Sequence, residues 1–350
     1  MSVSNLLSVK SYTGIYTVEI YENEESDKKR KEILREESKC SFLVIDKKVS
    51  KLYPEIINNW DKEWVYEIEA NEDNKELKAC ENLIEALTKV SFKKDMSIVA
   101  VGGGITQDVS SFVASVLYRG VDWIFIPTTL LAQSDSCIGS KTSINFKGVK
   151  NIIGNFYPPK KIYCFTDFLS TLSVNDVKSG IGEILHYYIV DNSSFAKRLS
   201  FDYEKIIANP PEIFPYIIES LSIKKKMVEI DEFDRGPRRV FNYGHTFGHA
   251  IEVLSDFNLT HGQSVTLGMD IANFIAFSLG LIKEERYEKL KKVLLKNIPD
   301  YKIKQSDVDP FIALLKKDKK STRGKIVCIL PVGEDDEERV KTLINKYRGL

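Results

Sequence analysis

The chain has 350 residues but only four histidines, and three of them, His245, His249 and His261, fall in one stretch. His245 and His249 stand four apart in HTFGHAIE, so a helix there presents both rings on one face. His261 precedes Gly262 beyond a polar turn, and Glu183, in SGIGEILHYY, is a carboxylate able to join them. Two imidazoles and one carboxylate leave a coordination position open, which is how catalytic zinc is held. A lone histidine pair on a helix is as often core or surface. The concentration of histidine in one region is what points this chain to a divalent ion. On residue types alone His249 is a ligand candidate as well.

A second chemical feature is GGGITQD, Gly102 to Asp108. Glycines between a strand and a helix let backbone N–H groups approach an anion, and the helix N-terminus adds partial positive charge. The stretch is neither GxGxxG nor a P-loop, so it fits a tight packing turn as well as a pyrophosphate site. Asp46 ends an apolar run and suits ribose or adenine hydrogen bonds. From Pro127 to Pro159 the chain mixes hydroxyls, amides and lysines with Ile144, Phe146, Ile152, Ile153, Phe156 and Tyr157. Those apolar side chains predict an ordered site loop, with Lys141, Lys150 and Asn151 offered to an anionic ligand.

Short apolar runs alternate with helical patterns through the first half. Strands are expected at residues 13–21, 41–46, 64–70, 97–101, from 123 and at 162–165, with helices at 71–90 and 108–117. That alternation predicts a parallel, doubly wound, Rossmann-like α/β sheet. After residue 165 long helical patterns take over (175–191, 212–231, 242–256, 264–281, 283–297), and strand character returns only at KIVCILPVG, Lys325 to Gly333. The expected organisation is an α/β domain, 1–165, followed by an all-α domain, 166–350. Fifty basic and fifty acidic residues cancel, so no net field draws the chain to nucleic acid or membrane. Five scattered cysteines without a CxxC pair read as thiols of a reducing compartment. No apolar run has the length of a signal core or a membrane span, so a cytoplasmic protein is expected.

The motifs GGGITQDVSSFVAS, YRGVDWIFIPTTLLAQSDSCIGSKTSIN, KNIIGNFYPP, DEFDRGPRRVFNYGHTFGHAIE and HGQSV, in this order, resemble 3-dehydroquinate synthase and the wider sugar phosphate cyclase family. They span most of residues 70–265. The resemblance implies NAD in the first domain and a divalent metal, zinc or alternatively cobalt, in the second. It makes Glu183, His245 and His261 the metal ligands and gives His249 to the substrate phosphate. It implies NAD contacts from Asp46, Glu72, Lys75, Gly103, Gly104, Asp108, Thr128, Thr129, Lys150 and Thr171. The phosphate would be met by Lys141, Asn151, His249 and Lys319 or Lys320, with Arg119 supplied by a neighbouring subunit of a homodimer. Lys224 and Arg238 would bind the substrate carboxylate, with Asn242 and Asp135 lining the site. The implied reaction turns a 3-deoxy-heptulosonate 7-phosphate into a dehydroquinate-type carbocycle with loss of phosphate, by transient oxidation, elimination, re-reduction, ring opening and aldol closure.

One departure stands out. Family members usually read Glu-x-x-Lys where this chain reads Glu183-Ile184-Leu185-His186. Positions i and i+3 share a helix face, so His186 is expected in the same site, without a fixed ammonium. Three readings follow: drift with retained activity, a changed substrate such as an amino-heptulose phosphate, or a weakened paralogue. Gln263 also stands where the family commonly has glutamate, which removes a carboxylate from behind the metal ligands. A metal-dependent polyol dehydrogenase shares the broad architecture, but it would produce net NADH on a simple alcohol.

Overall fold

The computed structural model describes residues 5–317 and 326–333. The first elements are β1 (Asn5–Ser11), β2 (Gly14–Tyr21), α1 (Asn23–Glu37), β3 (Ser41–Asp46), α2 (Lys47–Leu52), β4 (Val65–Ile68) and α3 (Leu77–Lys89). They are followed by β5 (Ser97–Gly102), α4 (Gly104–Val116), β6 (Trp123–Pro127), a hairpin of β7 (Lys141–Phe146) and β8 (Val149–Phe156), and β9 (Lys161–Phe165). Seven strands form one sheet in the order β1-β2-β9-β6-β5-β3-β4. All neighbours run parallel except β1, which pairs antiparallel with β2 at the edge. The sheet is therefore the expected doubly wound one with an antiparallel edge added.

Its strands form because their apolar runs have two faces to fill. Phe42, Leu43, Val44 and Ile45 of β3 and Ile98, Val99, Ala100 and Val101 of β5 are all fully buried, as parallel strands covered on both faces require. Order reverses beside β3: β4 follows on one side, β5 and β6 on the other. The carboxyl ends of β3 and β5 bracket this switch point, where open α/β sheets bind ligands.

The remaining helices are α5 (Val174–Val190), α6 (Phe195–Ala208), α7 (Phe214–Ile230), α8 (His245–Leu254), α9 (His261–Ser278), α10 (Glu284–Leu294) and α11 (Val308–Lys317). Packing divides the chain differently from secondary structure. One compact unit takes residues up to 184 together with 202–239, so α7 belongs with the sheet; the other takes 185–201 and 240 onward. The division falls inside α5.

Several local expectations change. Residues 141–156 form a hairpin rather than a loop, and within it Phe146 and Ile152 are exposed; Ile144 is the buried anchor. Residues 326–333 of the expected last strand have no strand partner among the described residues. Instead Leu330 packs against Ala276, Ile282 and Leu290. Helices α1, α6 and α11, and strand β1, were not foreseen.

Candidate functional site

The helical unit brings its histidines together by close backbone contact. Gly244, at φ 76°, precedes α8, and Gly268 lies in α9. A Cβ on Gly268 would stand 2.1 Å from the Gly244 carbonyl oxygen, and one on Gly244 would stand 2.4 Å from Met269 Cγ. Only glycine lets α8 and α9 touch there, and that contact sets His245 and His249, on α8, against His261, the first residue of α9. The three rings form a near-equilateral triangle, 5.5–5.6 Å between centroids.

Glu183, His245 and His261 each offer a ligand atom, and these atoms lie within 4.8 Å of one another. Glu183 is carried by α5, the same continuous helix as Leu185–Val190, and is 2% exposed. His249 is not part of that set, although residue types alone had offered it. The donor chemistry fits a divalent ion. His245 Nδ1 faces the Tyr243 carbonyl oxygen at 3.2 Å, and His261 Nδ1 faces Glu252 Oε2 at 3.1 Å. Both partners accept, so each Nδ1 carries the proton and each Nε2 keeps its lone pair for a metal. Sequence reasoning missed Glu252, although it sits at i+7 from His245 on one face of α8. Gln263 instead pairs with Thr260 Oγ1 at 3.0 Å.

His186 is fully buried. Its ring lies 4.8 Å from that of His245 and is boxed by Tyr187, Phe241 and Tyr243 at 5.1, 5.9 and 6.2 Å. Its surroundings are thus aromatic, with one metal-candidate ring among them. Asn242 closes the short helical turn Pro237–Asn242 just before this box.

In the sheet unit, a cavity at the switch point is lined by Asp46, Gly103, Gly104, Thr128, Thr129 and Thr171, together with Tyr53 and Phe168. Gly103 caps α4, and a Cβ there would press on Thr129 at 3.0 Å; Gly104 faces open space. The first backbone N–H groups of α4 therefore border the cavity, the arrangement that suits a diphosphate. Asp46 accepts from Lys48 N at 2.8 Å as the N-cap of α2, and burial raises its carboxyl pKa. Tyr53 Oη and Thr171 Oγ1 are 3.1 Å apart, and the buried Arg30 guanidinium covers the Tyr53 and Phe168 rings at 5.1 and 5.2 Å.

The other expected cofactor residues form a separate network one turn further along α4. Lys75 Nζ lies 2.6 Å from Asp108 Oδ2 and 2.7 Å from Asn151 Oδ1. Ser143 N donates to Asp108 Oδ1, and burial raises the Asp108 pKa against the pull of Lys75. Asn145 Nδ2 donates to Glu72 Oε1, which Lys150 approaches at 3.8 Å. Asn151, expected at the phosphate, is thus joined to the Lys75 group.

A third cluster holds cations. Lys224 of α7 donates to Asp135 Oδ1 at 2.6 Å and to Asp135 O at 2.7 Å. Lys141 Nζ lies 2.6 Å from Asp234 Oδ2. Arg238, 8% exposed, donates to Glu232 O. Burial, seconded by Arg238 and Lys224, holds the Lys141 ammonium below its usual pKa while Asp234 opposes this. Arg119 belongs to none of these groups. It is exposed, at φ 63°, beyond the opposite end of α4 from Gly104. Lys319 and Lys320 lie outside the described residues.

Solved structures share this fold. A 2-deoxy-scyllo-inosose synthase, solved with carbaglucose-6-phosphate, NAD+ and Co2+, superposes with a TM-score of 0.81 at 26% identity, over 93% of this chain and 92% of that one. A 2-epi-5-epi-valiolone synthase from Streptomyces hygroscopicus, with NAD+ and Zn2+ bound, gives 0.76 at 22% identity, over 95% and 97%. The protein is thus of the sugar phosphate cyclase class. Within it, residues 65–179 match the 3-dehydroquinate synthase N-terminal family and residues 180–321 the C-terminal one. The 3-dehydroquinate synthase of Acetivibrio thermocellus is 36% identical over 287 residues, covering 79% of this chain and 80% of that protein. The chain belongs to the 3-dehydroquinate synthase family.

Proposed function

We propose that the protein is an NAD- and metal-dependent cyclase that converts a 3-deoxy-heptulosonate 7-phosphate into a 3-dehydroquinate-type carbocycle, releasing phosphate. The observation that carries this reading is the convergence of Glu183, His245 and His261 within 4.8 Å. The cation cluster Lys141, Lys224 and Arg238 supplies what an acid phosphate needs at its two ends. When bound, NAD supplies a reversible hydride acceptor and the divalent ion, zinc or cobalt, a Lewis acid for adjacent hydroxyls.

The chain's own residues bind, orient and balance charge. Glu183 and the Nε2 atoms of His245 and His261 hold the ion; Glu252 and the Tyr243 carbonyl fix the ring orientations. Asp46, Gly103, Gly104, Thr128, Thr129 and Thr171 take the adenosine and diphosphate of NAD, and Glu72, Lys75, Asp108 and Lys150 take its further end. Lys224 and Arg238 hold the substrate carboxylate, with Asp135 and Asn242 beside it. Lys141, Asn151 and His249 take the phosphate, with Lys319 or Lys320. Arg119, exposed at the far end of α4, reaches that phosphate only from another copy, so the active form is a homodimer completed by the partner subunit's Arg119. The protein mainly supplies position and a fixed electrostatic frame, and elimination needs little more once both anionic ends are held.

A second reading rests on His186. A fully buried imidazole among three aromatic rings favours a heptulose phosphate altered at the hydroxyl nearest it, for example by an amino group. Purified protein with zinc, NAD and 3-deoxy-heptulosonate 7-phosphate should release phosphate, form a dehydroquinate and accumulate no NADH. Absence of phosphate at full metal and NAD occupancy rejects the first reading, and turnover of only an amino-heptulose phosphate in the same panel selects the second.

A further inference from the structure

Two carboxylates in one loop behave differently. Asp231 accepts from the backbone N–H groups of Arg235, Gly236 and Arg238, so it builds the loop. Asp234 builds nothing of the kind. One oxygen takes Lys141 at 2.6 Å, and the other, though buried, meets no donor among the described residues. Asp234 also stands at φ 56°, in the left-handed region that favours glycine.

The loop around it is clamped independently of that ion pair. Glu232 accepts from Ser11 Oγ at 2.6 Å and Tyr12 N at 2.8 Å. Phe233 packs between Tyr12 and Phe156 at 5.7 and 4.8 Å. Arg238 returns a bond to Glu232 O. The backbone therefore aims Asp234 at Lys141, and the pair itself is half open: the lysine side chain is 47% exposed and the aspartate 26%. Lys224 contrasts with it, 7% exposed and fixed by two oxygens of Asp135.

The geometry points to Asp234 as a specificity-determining counter-anion that an incoming phosphoryl group must displace from Lys141. This rests on Lys141 being a phosphate contact. A monoanionic ligand offers Lys141 no more charge than Asp234 already does, so the exchange gains little. A phosphoryl group brings nearly two charges and three acceptor oxygens, and it wins. Once displaced, the Asp234 carboxylate repels the bound anion. It lowers affinity for every anion, filters out monoanions and eases release of product phosphate.

The test is calorimetric titration of full-length protein, loaded with zinc and NAD, with inorganic phosphate and separately with acetate. Asp234→Asn should bind phosphate about tenfold more tightly, gain still more for acetate and so lose selectivity. Asp234→Gly, whose backbone suits the left-handed conformation, should do the same. Equal or weaker phosphate binding by both variants overturns the proposal while leaving Lys141 as a phosphate contact, provided Lys141→Met abolishes binding. Unchanged phosphate binding by Lys141→Met sinks that contact and the gate with it.

Discussion

The metal candidates and the anion-facing residues are prepared in opposite ways. Around α8 and α9 lone pairs converge: His245 and His261 turn their Nδ1 atoms to Tyr243 O and Glu252, and ligand atoms of both lie within 4.8 Å of each other and of Glu183. In the sheet unit charges arrive already matched, Lys75 with Asp108, Lys141 with Asp234, Lys224 with Asp135. Convergent lone pairs are completed by a cation. Matched ion pairs accept a ligand only by exchange, so they give selectivity at some cost in affinity. The first arrangement should fail abruptly when one member is lost, and the second gradually.

The sharpest break is at the convergent set. His245→Ala should lower bound zinc, read by elemental analysis after dialysis, and abolish phosphate release by at least about 10³-fold. NAD affinity, assigned under the proposed function to the sheet unit, should stay within about twofold of native; a parallel fall in both would erase the contrast. Next comes the contact beneath the set. Alanine suits a helix better than glycine by about 1 kcal/mol, yet Gly268→Ala puts a Cβ against the Gly244 carbonyl. Overpacking of this kind costs about 1–3 kcal/mol. Urea unfolding should show a net loss of stability together with weaker zinc binding, whereas a gain in stability would mean that the helices separate freely.

How much of this could be read in the sequence follows the same physics. Strands β3, β5 and β6 were legible because burial on both faces forces uninterrupted apolar runs. The hairpin β7–β8 was not, since β8 has no fully buried residue to mark a face. Its turn did leave a trace: Lys147 and Gly148 both take positive φ, the pattern of a two-residue hairpin turn. Residues 326–333 misled in the opposite sense, because an apolar run can cover helices as well as join a sheet. The histidine set was half legible. Spacing found His245 and His249 as a pair and residue type offered Glu183 beside them, but the exclusion of His249 needed the family resemblance or the fold. Nothing in spacing could link Lys75 to Asp108 or Lys141 to Asp234, since those pairs exist only after the chain has closed on itself.

Two milder substitutions sharpen the contrast. Glu252→Gln keeps a hydrogen-bond acceptor for His261 but removes the charge that makes the imidazole a stronger donor to metal. Zinc affinity, measured by competition with a chromogenic chelator, should fall about 10–100-fold, with phosphate release restored at high zinc. Loss that zinc does not restore would instead mean a folding role. In the sheet unit, Asp46→Asn preserves a good N-cap for α2, so thermal stability should hold. NAD affinity should drop about tenfold as a charged hydrogen bond becomes a neutral one. Falling stability with unaltered NAD binding would leave Asp46 a cap and nothing more.

The smallest effect is the pH dependence of the matched pairs. Lys141 binds an anion only as an ammonium. Burial lowers its pKa, Arg238 and Lys224 act in the same direction, and Asp234 acts against them. Phosphate affinity should therefore decline on the alkaline side at a pH below the usual lysine value of 10.5, being complete below that window and lost above it. Removing the Asp234 charge removes the one influence that holds the proton on. In Asp234→Asn the decline should begin at lower pH, even though binding near neutrality is tighter. Titrations with phosphate across the alkaline range, native and variant side by side, separate the two effects. A decline at the same pH in both proteins would show that Asp234 does not govern Lys141, and the matched-pair half of the contrast would lose its clearest case.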